Sequence, residues 1–253
     1  MEIRALTRAA RILASISVSP TGQTLSELVA SVDLSKATTH RFVQALVTID
    51  YLRYDSRSAT YHIGPALLGF ANAGAGLEEL RALARPVLKD LRSATLETIS
   101  LVVPSGLSRL TVEVEFSEHE LRAVPEPGGI KPIHAGAAGK ALLAWYPKEA
   151  LHGLLKDLDL RAVTPQTITT APELLRALAR VRSRGYAISA GETEPGQSAS
   201  AAPIFGADGT VMGCLNISGP ASRLPAATLR ANGELAVAAA KKLGSRLSNG
   251  QKT

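Results

Sequence analysis

The stretch LSELVASVDLSKATTHRFVQALVTIDYLRYD, residues 25–55, decides how the first part of the chain is read. Thr24 stands just before it and Glu27 follows three residues later, the spacing of a capping box. Leu25, Leu28, Val29 and Val32 then supply one apolar face, which predicts a short helix. After the turn SVDL, Ser35 is placed to cap a third helix running to about Asp50. Phe42, Val43, Leu46 and Ile49 are its inward positions, and Ser35, Lys36, Thr38, His40, Arg41 and Gln44 surround its first half. Upstream, Leu6, Ala9, Ile12, Leu13 and Ile16 form one helical stripe, with Arg4, Arg8 and Arg11 on a separate face. Downstream, YLRYDSRSATYHI (51–63) reads as strand, turn and strand, with Leu52 and Tyr54 opposite Tyr61 and Ile63. Two short helices, a tight turn, a polar third helix and a hairpin form the pattern of a winged helix-turn-helix.

Charge placement says more than the charge total. Residues 1–62 carry seven basic and five acidic side chains, a net of only +2. Lys36 and Arg41 nevertheless fall on the third helix, and Arg53 and Arg57 on the wing. In a major groove, Lys36, Thr38 and Arg41 would meet base edges or phosphates, and the wing arginines the backbone or minor groove. The same fold also serves as a protein-interaction module, and the pattern alone leaves both readings open.

The rest of the chain changes character. Residues 64–76, GPALLGFANAGAG, are small and uncharged and read as a linker helix opened by Pro65. LEELRALARPVLKDLRSA, from Leu77, is a strong helix in which Pro86 should make a kink or a break. Strands are expected at Thr98–Val103 and Leu110–Phe116, with another at Leu121–Val124. Helices follow at 139–145, 148–156 and 173–184, then strands near 199–205 and 210–217 and an Ala-rich helix at 225–247. The expected organisation is a DNA-binding domain at 1–63, a linker at 64–76 and an α+β domain with a central antiparallel sheet at 77–253.

Composition closes off other classes. The 253 residues include 21 glycines and only 10 aromatics, so the core is built from Leu, Val, Ile and Ala. One cysteine, Cys214, excludes an internal disulfide framework. No apolar run approaches the length of a membrane span, and MEIRALTRAARILASISVSP lacks the order of a signal peptide, so a cytoplasmic protein is expected. Formal charge is +6 with 20% charged residues, which permits a polyanionic partner without requiring one.

Catalytic chemistry is poorly represented. GAAGKA (136–141) has two residues before its GK where a P-loop has four, and Ala141 where that loop has Ser or Thr. What survives is a Gly-rich turn into a helix beginning near Gly139, either an anion-receiving helix start or a turn that only glycine fits. The histidines 40, 62, 119, 134 and 152 are scattered, and neither HExxH nor paired cysteines occur, so no metal and no cofactor are expected. Cys214, Asn216 and Ser218 share one face of a strand, VMGCLNIS. A pocket of Ser, Asn, Cys and backbone N–H groups suits a compact acid and lacks a general base, so binding without turnover is the economical reading.

The residues also resemble the IclR family of bacterial transcriptional regulators along nearly the whole chain. The resemblance is carried by residues 25–55, HAGAAGKALLA (134–144), RSRGYAI (182–188), ETEPG (192–196), AAPIFGADGTVMGCLNISGP (201–220) and Arg223. It implies a repressor or activator, a dimer or dimer of dimers, a palindromic double-stranded operator and a small organic or aromatic acid as effector. The implied sheet domain is GAF-like or profilin-like. The operator-facing positions would be Ser35, Lys36, Ala37, Thr38, His40, Arg41 and Gln44. The effector positions would be Ala137, Ala138, Gly139, Ser189, Ala199, Asn216 and Ser218, to which the strand pattern adds Cys214. Members that bind small hydrophilic acids tend to have an acidic residue near Ser189, Cys or Ser at Ala199 and Ser at Asn216. Their replacement here favours a larger or less polar ligand.

Overall fold

The computed structural model describes residues 4–67 and 75–250 and separates into two compact units, Met1–Glu78 and Glu79–Thr253. Most of the expected linker helix lies outside the described residues, at 68–74.

In the first unit, α1 (Arg4–Ser17), α2 (Leu25–Val32) and α3 (Lys36–Thr48) precede a hairpin, β1 (Leu52–Asp55) and β2 (Thr60–Ile63). The capping box forms as read: the Thr24 hydroxyl accepts the Glu27 N–H at 3.3 Å, and the Glu27 carboxylate accepts the Thr24 N–H at 2.7 Å. Asp33 closes α2 in the left-handed region at φ 51°, and Ser35 then caps α3. Leu52 pairs with Ile63 and Tyr54 with Tyr61, whose rings lie 4.9 Å apart. Ile12, Ile16, Leu28, Val32, Val43, Leu46, Leu52 and Tyr61 form the core. Ala9, Leu13, Leu25, Phe42 and Ile63 pack against it partly buried, Val29 is half-buried, and three expected inward positions, Leu6, Ile49 and Tyr54, are exposed. Leu6 is exposed in the first turn of α1, before the core begins, and Ile49 is exposed because α3 ends at Thr48 and the chain turns away.

The division between the units falls within α4 (Ala75–Thr95), which runs through Pro86 as one helix rather than dividing there. The second unit's sheet has the order β5-β4-β3-β8-β7-β6 with antiparallel neighbours throughout. Its strands are β3 (Thr98–Ser105), β4 (Ser108–Glu115), β5 (Ile130–Pro132), β6 (Ala187–Ala190), β7 (Gln197–Phe205) and β8 (Val211–Pro220). Four helices complete the unit: α5 (Gly136–Leu143), α6 (Lys148–Asp157), α7 (Ala171–Arg184) and α8 (Ala226–Gly250).

The expected strand at Leu121–Val124 does not form, and Ile130–Pro132 takes the edge beside β4 instead. The Ala123 carbonyl is satisfied by the Thr98 hydroxyl at 2.8 Å rather than by a ladder, and Leu121 and Val124 are exposed. Alternation along β7 sends Ala199 and Ala201 toward α5, and Ser200 toward α8, where its hydroxyl donates to the Leu229 carbonyl at 2.6 Å. Ser200 therefore lies on the face away from α5.

A register slip in the β3–β4 pair gives β4 two allegiances. Val102 pairs with Thr111 but Leu101 pairs with Glu113, leaving Val112 as the extra residue. Before the slip Arg109 and Thr111 face the α5 side; after it Glu113 and Glu115 meet Arg81, Arg85 and Arg92 of α4.

All eight residues of α5 are buried, which requires small side chains. Gly136 sits at φ 80°, and a Cβ on Gly139 would overlap the Ile133 carbonyl oxygen. Gly139→Ala should therefore lower unfolding free energy by about 1–3 kcal/mol in urea denaturation. Gly153→Ala, on α6 with open space around it, should be neutral or stabilising by up to about 1 kcal/mol. Equal effects at the two positions would refute the tight packing of α5.

Candidate functional site

The first candidate surface is the outer face of α3 with the wing. Ser35, Lys36, Ala37, His40, Arg41 and Gln44 are exposed, as are Arg53 and Arg57 on the hairpin, and Thr38 is half-buried. Ser35 and Thr38 are engaged with each other: the Ser35 hydroxyl accepts the Thr38 N–H at 3.3 Å, and their hydroxyls lie 2.8 Å apart. That leaves Lys36, His40 and Arg41 as the outward polar groups, while the Gln44 side chain hydrogen-bonds Tyr61 of the hairpin. Arg41 also lines a shallow cleft with Arg8 of α1, Thr38, Phe42 and Ala45. Arg8 was legible only as part of a polar stripe, and its place beside Arg41 makes it a further phosphate-facing candidate. The Asp55 carboxylate accepts the Arg57 N–H at 2.9 Å, which orders the wing tip and holds the Asp55 carboxyl below its ordinary range.

The second candidate is a cavity of about 380 Å³ on the α5 side of the sheet. Six of the eight residues expected there line it: Ala137, Ala138, Ser189, Ala199, Asn216 and Ser218. Gly139 and Cys214 do not. The helix begins at Gly136, not near Gly139, so Gly139 lies a full turn inside it and serves close packing on Ile133. Cys214 lies beneath α5, fully buried, with its thiol directed to the Ala138 carbonyl at 3.6 Å. Burial there pushes the thiol pKa up to about 12.

The start of α5 is held by Glu192, one of whose carboxylate oxygens accepts the Gly136 N–H at 3.0 Å. Its other oxygen meets the buried ammonium of Lys140. Burial pushes the Lys140 ammonium down, and the Glu192 charge opposes this. The N–H groups of Ala137 and Ala138, in the first turn, lack intrahelical acceptors and border the cavity. His134 packs just before this helix, its Nε2 3.0 Å from the Arg161 carbonyl, and burial lowers its pKa.

On the sheet floor, the Asn216 side-chain amide donates to the Ser100 hydroxyl at 3.3 Å. Thr111 and, at the border, Thr193 and Gln197 add polar groups. Sequence reading missed Ser100, Arg109, Thr111 and Lys131. A positively charged residue at alternate spacing with Thr111, in the strand SRLTVEV, was the available signal for Arg109. Among the described residues, no three His, Cys, Asp or Glu side chains converge as a metal site, and no helix is long and apolar enough to cross a membrane.

A winged helix with an exposed basic third helix, joined to an antiparallel-sheet unit with a polar cavity, defines the class of two-domain DNA-binding transcriptional regulators. The chain belongs to the IclR family: the IclR helix-turn-helix domain matches residues 5–56, and the bacterial transcriptional regulator IclR C-terminal domain matches residues 75–245. It is 34% identical to the HTH-type transcriptional regulator BhcR of Paracoccus denitrificans (strain Pd 1222), across 95% of this chain and 86% of that protein. It is 30% identical to the HTH-type transcriptional repressor AllR of Salmonella typhi, across 96% of this chain and 90% of that one. Among solved structures, an IclR homolog complexed with 4-hydroxybenzoate, from Microbacterium hydrocarbonoxydans, superposes with a TM-score of 0.79 at 26% identity, covering 97% of this chain and 99% of that chain.

The buried thiol sets a direct chemical expectation. With a pKa of about 12, Cys214 in the native protein should not react with a thiol-specific disulfide reagent at pH 8, and should react fully once unfolded. Rapid native labelling, followed by absorbance, would place the thiol in the cavity after all.

Proposed function

We propose that this regulator binds a palindromic operator through its first unit and that a small organic or aromatic acid in the second unit changes its operator affinity. Residues 1–63 act as the DNA-binding domain and 77–253 as the effector and self-association domain, joined through 64–76. The observation that carries the reading is the cavity of about 380 Å³, floored by hydroxyl and amide groups and bordered by the first turn of α5. Its volume is within the range of small-molecule sites and exceeds the need of a two-carbon acid. A relative with the same fold holds 4-hydroxybenzoate, an acid of suitable size. The cavity floor supplies donors, and its one close acid–base pair among the described residues, Lys131 and Glu194, is solvent-exposed, which favours binding over turnover.

On DNA, a two-fold dimer would set two copies of α3 in successive major grooves, about 34–36 Å apart or a multiple of that. Lys36, His40, Arg41 and Gln44 then face the groove, with Ala37 near base edges and Arg53 and Arg57 near the backbone. Self-association as a dimer or dimer of dimers follows from the two-fold operator, and the reading places the protein in the cytoplasm with no membrane partner. Effector and operator are linked by a coupling free energy of about 1–3 kcal/mol, or about 5–150-fold in affinity.

Two measurements check this. Arg41→Ala should weaken binding to an operator duplex obtained by in vitro selection, by about tenfold or more at fixed salt in fluorescence anisotropy. Unchanged binding would remove α3 from the DNA. A panel of aromatic and small organic acids, screened by thermal shift, should contain one that moves operator affinity by at least about fivefold. If every acid that binds leaves operator affinity and oligomeric state unchanged, the effector reading fails.

A further inference from the structure

One charge in the cavity is answered by nothing in the described residues. Arg109, on β4, is only 8% exposed, and its Nε is buried without a hydrogen-bond partner. None of the ion pairs among the described residues includes it. Its guanidinium lies at the start of α5: Nη2 is 3.5 Å from where a Cβ on Gly136 would stand. That is the positive end of a helix, where the Ala137 and Ala138 N–H groups lack intrahelical acceptors. The residue directly across from Arg109 on β5 is Lys131, which also lines the cavity. Like charges opposed across an antiparallel pair are destabilising, and a buried unpaired guanidinium is more so.

The neighbouring carboxylates do not compensate. Glu192 is engaged by Lys140 and the Gly136 N–H. Glu194 is 64% exposed and stands 3.9 Å from Lys131, and Glu126 is exposed at the rim. Cys214 is a buried, protonated thiol. Two cationic side chains and a helix start thus converge on one end of the cavity, and although Glu194 stands near Lys131 and Glu192 holds the Gly136 N–H, no carboxylate among the described residues pairs with Arg109. Val124, Pro125, Ile130 and Ala199 supply apolar surface elsewhere in it.

Building on the effector reading above, we propose that Arg109, supported by Lys131 and the Ala137–Ala138 amides, receives the ligand's carboxylate and restricts this cavity to carboxylic acids over their neutral analogues. The planar guanidinium fork matches a carboxylate with two parallel hydrogen bonds, which a lysine at the same position cannot reproduce. The ligand's anion then supplies the counter-charge that the fold omits, and its apolar body covers the remaining wall.

The test uses the full chain and four acids: benzoate, 4-hydroxybenzoate, phenylacetate and pyruvate, each beside its primary amide, with inorganic phosphate as a further anion. At least one acid should raise the melting temperature while its amide does not. Titration calorimetry should show that acid binding Arg109→Met about ten- to hundredfold more weakly, with Arg109→Lys between the two and Lys131→Gln a few-fold weaker. In ligand-free buffer Arg109→Met should melt at or above the wild-type temperature, because it removes an uncompensated charge. The proposal is overturned if no acid in the panel stabilises the wild type, if phosphate alone does, if amides match their acids, or if Arg109→Met keeps its affinity. A markedly lower ligand-free melting temperature for Arg109→Met would overturn it too. Operator binding separates this from the effector reading. A neutral compound that shifts operator affinity independently of Arg109 keeps the effector reading and sinks the carboxylate subsite. An acid held by Arg109 with no effect on operator affinity does the reverse.

Discussion

The buried contact between Lys140 and Glu192 is the interaction on which the second unit's site depends. Their side chains are 5% and 9% exposed, so each would be a costly isolated charge without the other. Glu192 also accepts the Gly136 N–H, so one carboxylate grips both ends of the first turn of α5. Its own loop is fastened by the Thr167 hydroxyl to the Glu192 carbonyl at 2.7 Å and by the Thr164 hydroxyl to the Gly191 carbonyl at 2.6 Å. The pair therefore does two things at once. It fixes where α5 begins, and by occupying Glu192 it leaves the Arg109 charge to be answered from outside the protein.

Small side chains make that arrangement possible. A helix reading GAAGKALL can be wholly buried because its backbone approaches the Ile133 carbonyl where Gly139 has no Cβ. Cys214 supports the same helix from below by directing its thiol to the Ala138 carbonyl. The slip at Val112 in β4 completes the division of labour, turning Arg109 and Thr111 toward the cavity and Glu113 and Glu115 toward α4. Without the slip, strict alternation would put all four on one face.

The first unit was legible nearly residue by residue because its signals are local. Capping at Thr24 and Ser35, helical spacing in α1–α3 and a hairpin with a polar turn each act within a few residues. The second unit was legible as elements and less so as a site. Asn216 and Ser218 could be paired by strand alternation, but Arg109 and Lys131 meet α5 only through the sheet order and a bulge, which no local pattern encodes. Cys214 was misplaced because alternation gives a face and not a depth, and the part of that face nearest α5 is packed. The false strand at Leu121–Val124 shows the same limit: the segment is apolar enough, but a single side-chain hydrogen bond from Thr98 takes the place of a ladder.

The central claim is that Lys140 and Glu192 are energetically coupled and together hold the start of α5. A double-mutant cycle of Lys140→Met and Glu192→Gln, read by urea denaturation, measures this directly. Each single substitution should cost about 3–5 kcal/mol, because it strands a buried partner. The double substitution should cost less than their sum by about 1–3 kcal/mol. Strictly additive costs would contradict the account, since the two residues would then stabilise α5 independently.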